Sequence, residues 1–279
     1  MEQTIKYANS IKRIEIPSLW SGRKHIRWEL NPDVNILSGR NGEGKSTILN
    51  RLVRQLRQSP TSGEIPQTMR KGVTIDFSPA DATTIRYDII RSFDRQLIQI
   101  EGMKDLPGIN IVTELDWQLY LMQRRYLDYQ VNVGNRMVQL LTSGATDAHQ
   151  QAVEASASKT RFQDIVDDLF SGTGKRLDRN SNELRFIQYN EVIMPYLLSS
   201  GEKQMLLILL TALTEDRLPY VLFMDEPEAS LHYEWQECLV SLVRELNPMA
   251  QIVLTTHSPA LILKEWQGHV TEVSDITLD

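Results

Sequence analysis

The first part of the chain alternates apolar and polar positions. Between residues 11 and 37 this alternation predicts antiparallel strands with a turn at residues 21–24. A short apolar run at residues 34–37 precedes a glycine-rich segment, and an amphipathic helical pattern covers residues 46–57. The pattern therefore predicts antiparallel strands followed by a strand, a loop and a helix.

The middle of the chain changes its period. Strand-like runs cover residues 72–77 and 83–92, and a third is predicted at residues 96–100. Apolar residues then recur every three or four positions in two stripes separated by a turn at residues 142–147. This predicts an antiparallel helical hairpin over residues 113–170, with arms of about 35 to 40 Å. The stripes are Leu115, Leu119, Met122, Tyr126, Tyr129, Val133, Met137 and Leu140, and then Ala148, Ala152, Ala155, Phe162, Val166 and Leu169.

Glycines in and after the hairpin have different expected roles. Gly134 is a candidate kink in the first arm. The string Gly172-Thr173-Gly174-Lys175 suggests a second phosphate loop, but no strand precedes it and no helix follows it. It is therefore interpreted as a glycine turn that ends the second arm. A polar turn at residues 178–182 predicts a small β-hairpin within residues 176–187.

Composition excludes several classes of protein. The chain has 279 residues, 41% hydrophobic and 24% charged, which is typical of a globular protein. We find no leader sequence and no apolar run that could span a membrane, so we expect no membrane insertion. The single cysteine, Cys238, lies in an apolar helical stripe and is interpreted as a core thiol in a reducing cytoplasm. Five histidines without paired spacing give no zinc-site signal.

The charge of the chain is acidic overall. A net charge of -6 argues against binding of DNA by overall attraction. Two basic clusters are interpreted as solvated helix faces, with a local basic patch as the alternative. They consist of Arg51, Arg54 and Arg57, and of Arg124, Arg125 and Arg136.

The segment Gly39-Arg40-Asn41-Gly42-Glu43-Gly44-Lys45-Ser46 lies between the predicted strand and the predicted helix. Its glycines allow the backbone to turn N–H groups toward one point, where the helix dipole adds positive charge. Lys45 is predicted to reach the β- and γ-phosphates of a nucleotide, and the Ser46 hydroxyl to ligate Mg²⁺. The segment is thus predicted to be a phosphate-binding loop, with a glycine loop that holds no nucleotide as the alternative.

Two further strands end in chemically active residues. The apolar run 221–224 ends in Asp225 and Glu226. We expect Asp225 to hold Mg²⁺ through water and Glu226 to be the catalytic base for the attacking water. A strand at residues 251–256 is predicted to deliver His257 to a γ-phosphate or its water, because ligands of parallel sheets bind at strand C-terminal ends. The alternatives are an acidic strand edge and a structural histidine.

Residues 198–204, Leu-Ser-Ser-Gly-Glu-Lys-Gln, open an apolar helix that is predicted over residues 205–213. Small residues at a helix start form an anion-binding nest, to which Ser199 can donate its hydroxyl hydrogen.

Together these motifs resemble the ATP-binding-cassette (ABC) ATPases, and more closely their soluble RecF, structural-maintenance-of-chromosomes (SMC) and OLD branch. The resemblance is carried, in the family's order, by residues 39–47, 198–202, 225–232 and 255–259. The implied ATP contacts are Gly39, Arg40, Asn41, Gly42, Glu43, Gly44, Lys45, Ser46 and Thr47 in the loop, and Ser199, Ser200, Gly201 and Glu202 in the signature.

The signature departs from the family's pattern at Ser200 and Glu202, where glycine and glutamine are usual. The family's glutamine-bearing loop is not located by the sequence, and Gln96 and Gln99 are weak candidates for it.

The resemblance implies an α/β ABC-ATPase core with an antiparallel β subdomain and an inserted helical hairpin lobe. The expected segments are residues 1–112 with the phosphate loop, 113–170 as the lobe, and 171–279 with the signature, the acidic strand end and His257. A head-to-tail homodimer is also implied, with each ATP between one subunit's loop and the other's Ser199 and Gly201. Residues 229–232 would form the loop that crosses between the two sites.

Two functions from different classes fit these features. The first is a cytoplasmic ATPase whose ATP-driven dimerisation gates DNA engagement or a second, effector protein, as in DNA repair or anti-phage defence. The alternative is the nucleotide-binding subunit of a membrane transporter. A third interpretation is a scaffold that binds ATP without hydrolysing it. The presence of Glu226 and His257 argues against this interpretation.

Overall fold

The computed structural model describes residues 5–57, 72–91, 111–262 and 264–278. Its helices and strands are, in chain order, β1 (Ser10–Leu19), β2 (Lys24–Glu29), β3 (Val34–Ser38), α1 (Lys45–Arg57), β4 (Thr74–Ser78), β5 (Tyr87–Arg91), α2 (Glu114–Thr142), α3 (Ala148–Phe170), β6 (Arg176–Leu177), β7 (Phe186–Gln188), β8 (Glu191–Ile193), α4 (Ser200–Thr214), β9 (Tyr220–Asp225), α5 (Tyr233–Leu246), β10 (Ala250–Thr255), α6 (Pro259–Ile262), β11 (Val270–Glu272) and β12 (Thr277–Leu278).

The chain divides into two compact units by its contacts. Unit 1 comprises residues 1–92, 218–229 and 249–279, and unit 2 comprises residues 93–217 and 230–248. The segment 171–217, which contains the signature, therefore shares a unit with the helical hairpin. No helix of the described residues is both long enough and apolar enough to cross a bilayer.

Unit 1 contains a parallel sheet with the strand order β11-β3-β10-β9-β5. All four neighbouring pairs are parallel. Every residue of β9 and β10 is buried, as expected for central strands that are covered on both faces. Because β3, β9 and β10 run in the same direction, the segments that follow them meet at one edge of the sheet.

Unit 1 also contains an antiparallel sheet with the strand order β12-β2-β1-β4. Strand β1 confirms the predicted alternation, since Ile14 and Ile16 are fully buried while Glu15 between them is not. Trp20 and Ser21 adopt positive φ angles in the turn that joins β1 to β2.

Unit 2 is built on the predicted helical hairpin. Helix α2 begins with a capping box between Thr113 and Asp116 and runs without a break through the candidate kink at Gly134. In the seam the Tyr126 and Phe162 rings pack with centroids 6.0 Å apart. The two arms, of 29 and 23 residues, are about 43 and 35 Å long.

The second stripe of the hairpin was predicted one position out of place near its end. Leu169 is only half-buried, whereas Phe170 is 1% exposed and Ile165 is 3% exposed. One residue turns a helix by about 100°, so Ile165 and Phe170 are buried in place of Leu169, with the Phe170 ring packed on Phe186 and Trp235. Cys238 in α5 is also half-buried, and burial raises the pKa of its thiol.

Several other predictions concern unit 2 and the segment before it. The string 172–175 ends α3 in a turn, with Gly174 in the left-handed conformation (φ 70°), which confirms the interpretation as a glycine turn. Strands β6 and β7 form the predicted small hairpin, and β8, which was not predicted, pairs with β7 in the same antiparallel sheet. The strand predicted at residues 96–100, with Gln96 and Gln99, lies outside the described residues.

Candidate functional site

The glycine-rich loop joins β3 to α1 as predicted. Gly42 and Gly44 have φ angles of 83° and 103°, which L side chains rarely adopt. A Cβ on Gly44 would also lie 2.7 Å from Cζ2 of Trp20, so this position has no space for a side chain. The Glu43 carboxylate accepts a hydrogen bond of 2.8 Å from the Arg40 N–H and so closes the loop on itself.

Lys45, the first residue of α1, points back into the loop. Only 4% of the residue is exposed, and its ammonium donates to the carbonyl oxygens of Gly39 at 2.9 Å and Arg40 at 3.3 Å. Its third contact is Nε2 of His257 at 2.6 Å. Because an ammonium only donates, Nε2 of His257 is the acceptor in this contact.

The acidic pair at the end of β9 is held by β10. Thr255 is the register partner of Asp225, and its hydroxyl donates to the Asp225 carboxylate at 2.7 Å. Glu226 has a φ angle of 50°, an uncommon conformation for a residue with a side chain, of the kind that clusters at functional sites. Its N–H donates to the carbonyl and hydroxyl oxygens of Thr255, both at 3.1 Å. These contacts hold the Glu226 carboxylate 3.5 Å from Nε2 of His257.

An open cavity of about 250 Å³ brings most of these groups together. The predicted residues Lys45, Ser46, Glu226 and His257 therefore share one site, and Asp225 is not among the lining residues. The cavity is lined by Trp20, Asn41, Gly42, Gly44, Lys45, Ser46, Thr47, Glu226 and His257.

Three residues of this site were missed by the sequence interpretation. Trp20 lies in the β1–β2 turn, which carries no local signal of a site. Thr255 was seen only as part of a strand, although its hydroxyl holds Asp225. Glu228 accepts hydrogen bonds from the Thr256 hydroxyl at 2.6 Å and from the His257 N–H at 2.8 Å, and so orients the segment that carries the histidine. The sequence signal that could have identified Glu228 was its position three residues after Asp225.

The predicted signature lies in unit 2 at the start of α4. Ser199 is the N-cap, and it forms a capping box with Glu202. Ser199 and Ser200 are exposed, whereas Gly201 and Glu202 are buried. A Cβ on Gly201 would collide with the carbonyl oxygen of Ser230, so a glycine is required here by packing.

Glu202 is bonded entirely within unit 2 in the contacts that the structure shows. Its carboxylate accepts from Lys175, Thr173 and the Ser199 backbone and hydroxyl. Burial alone would raise the pKa of Glu202, but these hydrogen bonds outweigh it and keep the pKa below its usual value. Glu202, which was predicted to contact ATP, thus holds the N-terminus of α4 through buried hydrogen bonds.

Three arginines of the two basic clusters form ion pairs or hydrogen bonds within the protein. Arg125 pairs with Glu215, and Arg136 pairs with Asp216 at 2.6 Å. Arg51 donates to the Ser18 carbonyl at 2.6 Å. This favours the interpretation as ordinary helix faces over a local basic patch.

Comparison with known proteins gives one family and several similar structures. The sequence model of a family described as "AAA domain, putative AbiEii toxin, Type IV TA system" matches residues 143–263, which hold the signature, Asp225, Glu226 and His257 but not the glycine-rich loop. None of the curated proteins matches the chain. The chain is similar to an SMC head bound to the C-winged helix domain of ScpA, with a TM-score of 0.51, 13% identity and 91% of each chain covered.

Two further solved structures are similar at a lower score. An SMC head domain with an extended coiled coil, bound to the C-terminal domain of ScpA from Pyrococcus furiosus, has a TM-score of 0.49, 13% identity and 91% coverage of each chain. The SMC head domain from Thermotoga maritima has a TM-score of 0.43, 14% identity and 91% coverage of each chain. The first likeness, to the ScpA-bound head, confirms the predicted ABC-ATPase fold.

Proposed function

We propose that this chain is a P-loop ATPase of the SMC- and RecF-like branch, which binds Mg²⁺-ATP in the cavity lined by the glycine-rich loop and hydrolyses it. The observation that carries the proposal is the convergence of three groups. Lys45, Glu226 and His257 come from three separate segments of unit 1, and all of them line the same cavity. A buried cation can bind the phosphates, a carboxylate can accept a proton from water, and an imidazole can contact the γ-phosphate during transfer of a phosphoryl group to water.

The residues present fit a magnesium ion bound with the nucleotide. Mg²⁺ prefers oxygen ligands and is usually held by one or two protein groups together with phosphates and water. Ser46 offers a hydroxyl in the cavity lining, and Asp225 offers a carboxylate oriented by Thr255. The described residues contain no group of three or more His, Cys, Asp or Glu side chains that could hold a metal ion. The ion would neutralise phosphate charge during hydrolysis.

Each protein group then has a distinct part. The Lys45 ammonium binds the β- and γ-phosphates, and the N–H groups around Gly42 and Gly44 surround them. Glu226 accepts a proton from the attacking water, and its unusual backbone conformation aims the carboxylate at the cavity. His257, held from behind by Glu228, contacts the γ-phosphate or its water.

The second part of the proposal is a head-to-tail homodimer closed by ATP. Ser199 and Ser200 are exposed at the N-terminus of α4, where a helix favours an anion. The γ-phosphate held by one subunit would be met by this N-terminus of the other, and hydrolysis would remove the contact. Closure of the dimer would gate DNA engagement or a second, effector protein.

The similar SMC head and the matching family support a second protein as partner of this chain. One similar SMC head is bound to a domain of ScpA, and the matching family is described with a toxin–antitoxin system. We infer that the chain likewise acts with a second protein, in anti-phage defence or DNA repair.

The catalytic part of the proposal is tested by binding and turnover. The purified protein should release phosphate from Mg²⁺-ATP, and Lys45→Ala should abolish tight ATP binding because the cavity loses its buried cation. Arg54→Ala, which removes an exposed cation from the same helix, is the matched control and should bind normally. Calorimetry that shows normal ATP affinity for Lys45→Ala would exclude the phosphate-loop assignment.

A further inference from the structure

The first turn of α4 holds a buried carboxylate beside the proposed anion site. Glu202 is 3% exposed, and its Oε2 accepts from the Ser199 N–H at 2.9 Å and from the Ser199 hydroxyl at 3.0 Å. The hydroxyl expected to meet a γ-phosphate is thus bonded to a negative group. A carboxylate in this position repels an approaching phosphate, since a buried charge is screened only weakly by salt.

The other oxygen of Glu202 is bound by the string that ends α3. Lys175 Nζ lies 2.9 Å from Oε1, and the Thr173 hydroxyl lies 3.0 Å from it. The ion pair is buried, with side-chain exposures of 13% for Lys175 and 3% for Glu202. The left-handed turn at Gly174 brings both donors to the same side of the chain end. The string 172–175 is therefore no phosphate loop, and it supplies the counter-charge of the signature.

We infer that Lys175 is a positioning residue of the signature, whose ammonium cancels the charge of Glu202 and so allows the α4 N-terminus of one subunit to accept the γ-phosphate held by the other. The inference rests on the proposed function. It also explains how this signature can carry a glutamate at position 202. A neutral side chain there would need no counter-charge, whereas the glutamate needs Lys175.

A neighbouring ion pair provides a matched control. Lys203 Nζ lies 2.7 Å from the Asp116 carboxylate, and the side-chain exposures are 12% and 3%. This carboxylate belongs to the cap of α2, where it accepts from the N–H groups of Val112 and Thr113. Lys203→Met therefore breaks an equally buried pair on the same helical turn without leaving a charge on the signature.

The experiment measures ATP-driven dimerisation by sedimentation velocity at saturating Mg²⁺-ATP, with every variant in the Glu226→Gln background to prevent turnover. Lys175→Met should raise the dimer dissociation constant by about tenfold or more, the scale of a lost partner in a buried charge pair. Lys203→Met should leave it unchanged. Lys175→Arg, which keeps the charge, should dimerise normally. The double variant Lys175→Met/Glu202→Gln should return to the parent value, because no uncompensated charge remains beside Ser199. Lys203→Met, which leaves an equally buried carboxylate unpaired away from the signature, separates this role from a purely structural one.

Four outcomes contradict the inference. It is overturned if Lys175→Met dimerises as well as its parent, or if Lys203→Met weakens the dimer to the same extent. It is also overturned if the double variant stays weak, and this arm remains decisive even if Lys175→Met alone does not fold. If the Glu226→Gln parent itself stays monomeric with ATP, the proposed dimerisation fails and the inference falls with it.

Discussion

Lys45 Nζ lies 2.6 Å from Nε2 of His257, although 212 positions separate the two residues in the chain. Lys45 thus donates a hydrogen bond to the side chain that is proposed to contact the γ-phosphate. Under the proposed function, ATP would compete with His257 for the Lys45 ammonium. Transfer of the lysine to the phosphates would release the imidazole toward Glu226 and the attacking water, so that one contact would link binding to activation.

His257→Ala tests this competition. ATP affinity should be unchanged or higher, because Lys45 loses a competing acceptor, whereas phosphate release should fall by about a hundredfold. Calorimetry and a phosphate-release assay measure the two effects. His25→Ala, which removes a histidine paired with Glu15 in the antiparallel sheet, is the control and should change neither. Loss of ATP binding in His257→Ala would contradict the account.

Ser199→Arg tests the signature. The side chain is exposed in this structure, so we expect the isolated subunit to fold and to bind ATP as the parent does. Dimerisation and hydrolysis should both fall by at least about tenfold, because the bulky side chain blocks the α4 N-terminus at the proposed interface. The same substitution at Ser143, exposed in the hairpin turn, is the control. If ATP no longer bound to the monomer while turnover survived, the head-to-tail model would be wrong.

Gly201→Ala tests the packing of the signature on residue 230. The new methyl group would meet the Ser230 carbonyl oxygen, a backbone atom that cannot move aside freely, and we expect a loss of about 1 to 3 kcal/mol in unfolding free energy. Gly134→Ala is the matched control, since nothing lies within 4 Å of its Cβ, and it should gain about 1 kcal/mol. Denaturant titration measures both. Equal stabilisation of the two variants would refute the close contact.

Tyr126→Asp tests the seam of the hairpin. The residue is 3% exposed and packs on Phe162, so an unpaired carboxylate there should cost about 3 kcal/mol of unfolding free energy. Val131→Asp on the same helix is the control, because Val131 is 60% exposed. Thermal unfolding that shows equal effects in the two variants would place Tyr126 outside the seam.

The sequence predicted what local patterns encode. Apolar spacing predicted α2 and α3, and the strand, glycine loop and Lys45 were found because their signals lie within a few adjacent residues. The pairing of Lys175 with Glu202 joins positions 27 apart and has no periodic signature, so it could not be read from the chain. The requirement for glycine at 201 depends on how closely another backbone approaches. Phe170 was missed because a shift of one residue rotates the buried face of a helix.

The central claim is that ATP closes a dimer that hydrolysis by Glu226 reopens. Glu226→Gln keeps the shape of the side chain but removes its charge and basicity, so Mg²⁺-ATP should still bind through Lys45 and Ser46. Phosphate release should fall by about a hundredfold or more, the scale of a lost general base. The unhydrolysed nucleotide should then shift the population toward dimer. Lys45→Ala/Glu226→Gln is the control and should stay monomeric, since it cannot hold ATP.

Sedimentation velocity of Glu226→Gln with and without saturating Mg²⁺-ATP, alongside phosphate release, measures both halves of this claim. The account predicts a monomer without nucleotide, a dimer with ATP and almost no phosphate release. Hydrolysis at the native rate would contradict Glu226 as the base, and a monomer at saturating ATP would contradict dimerisation as the switch.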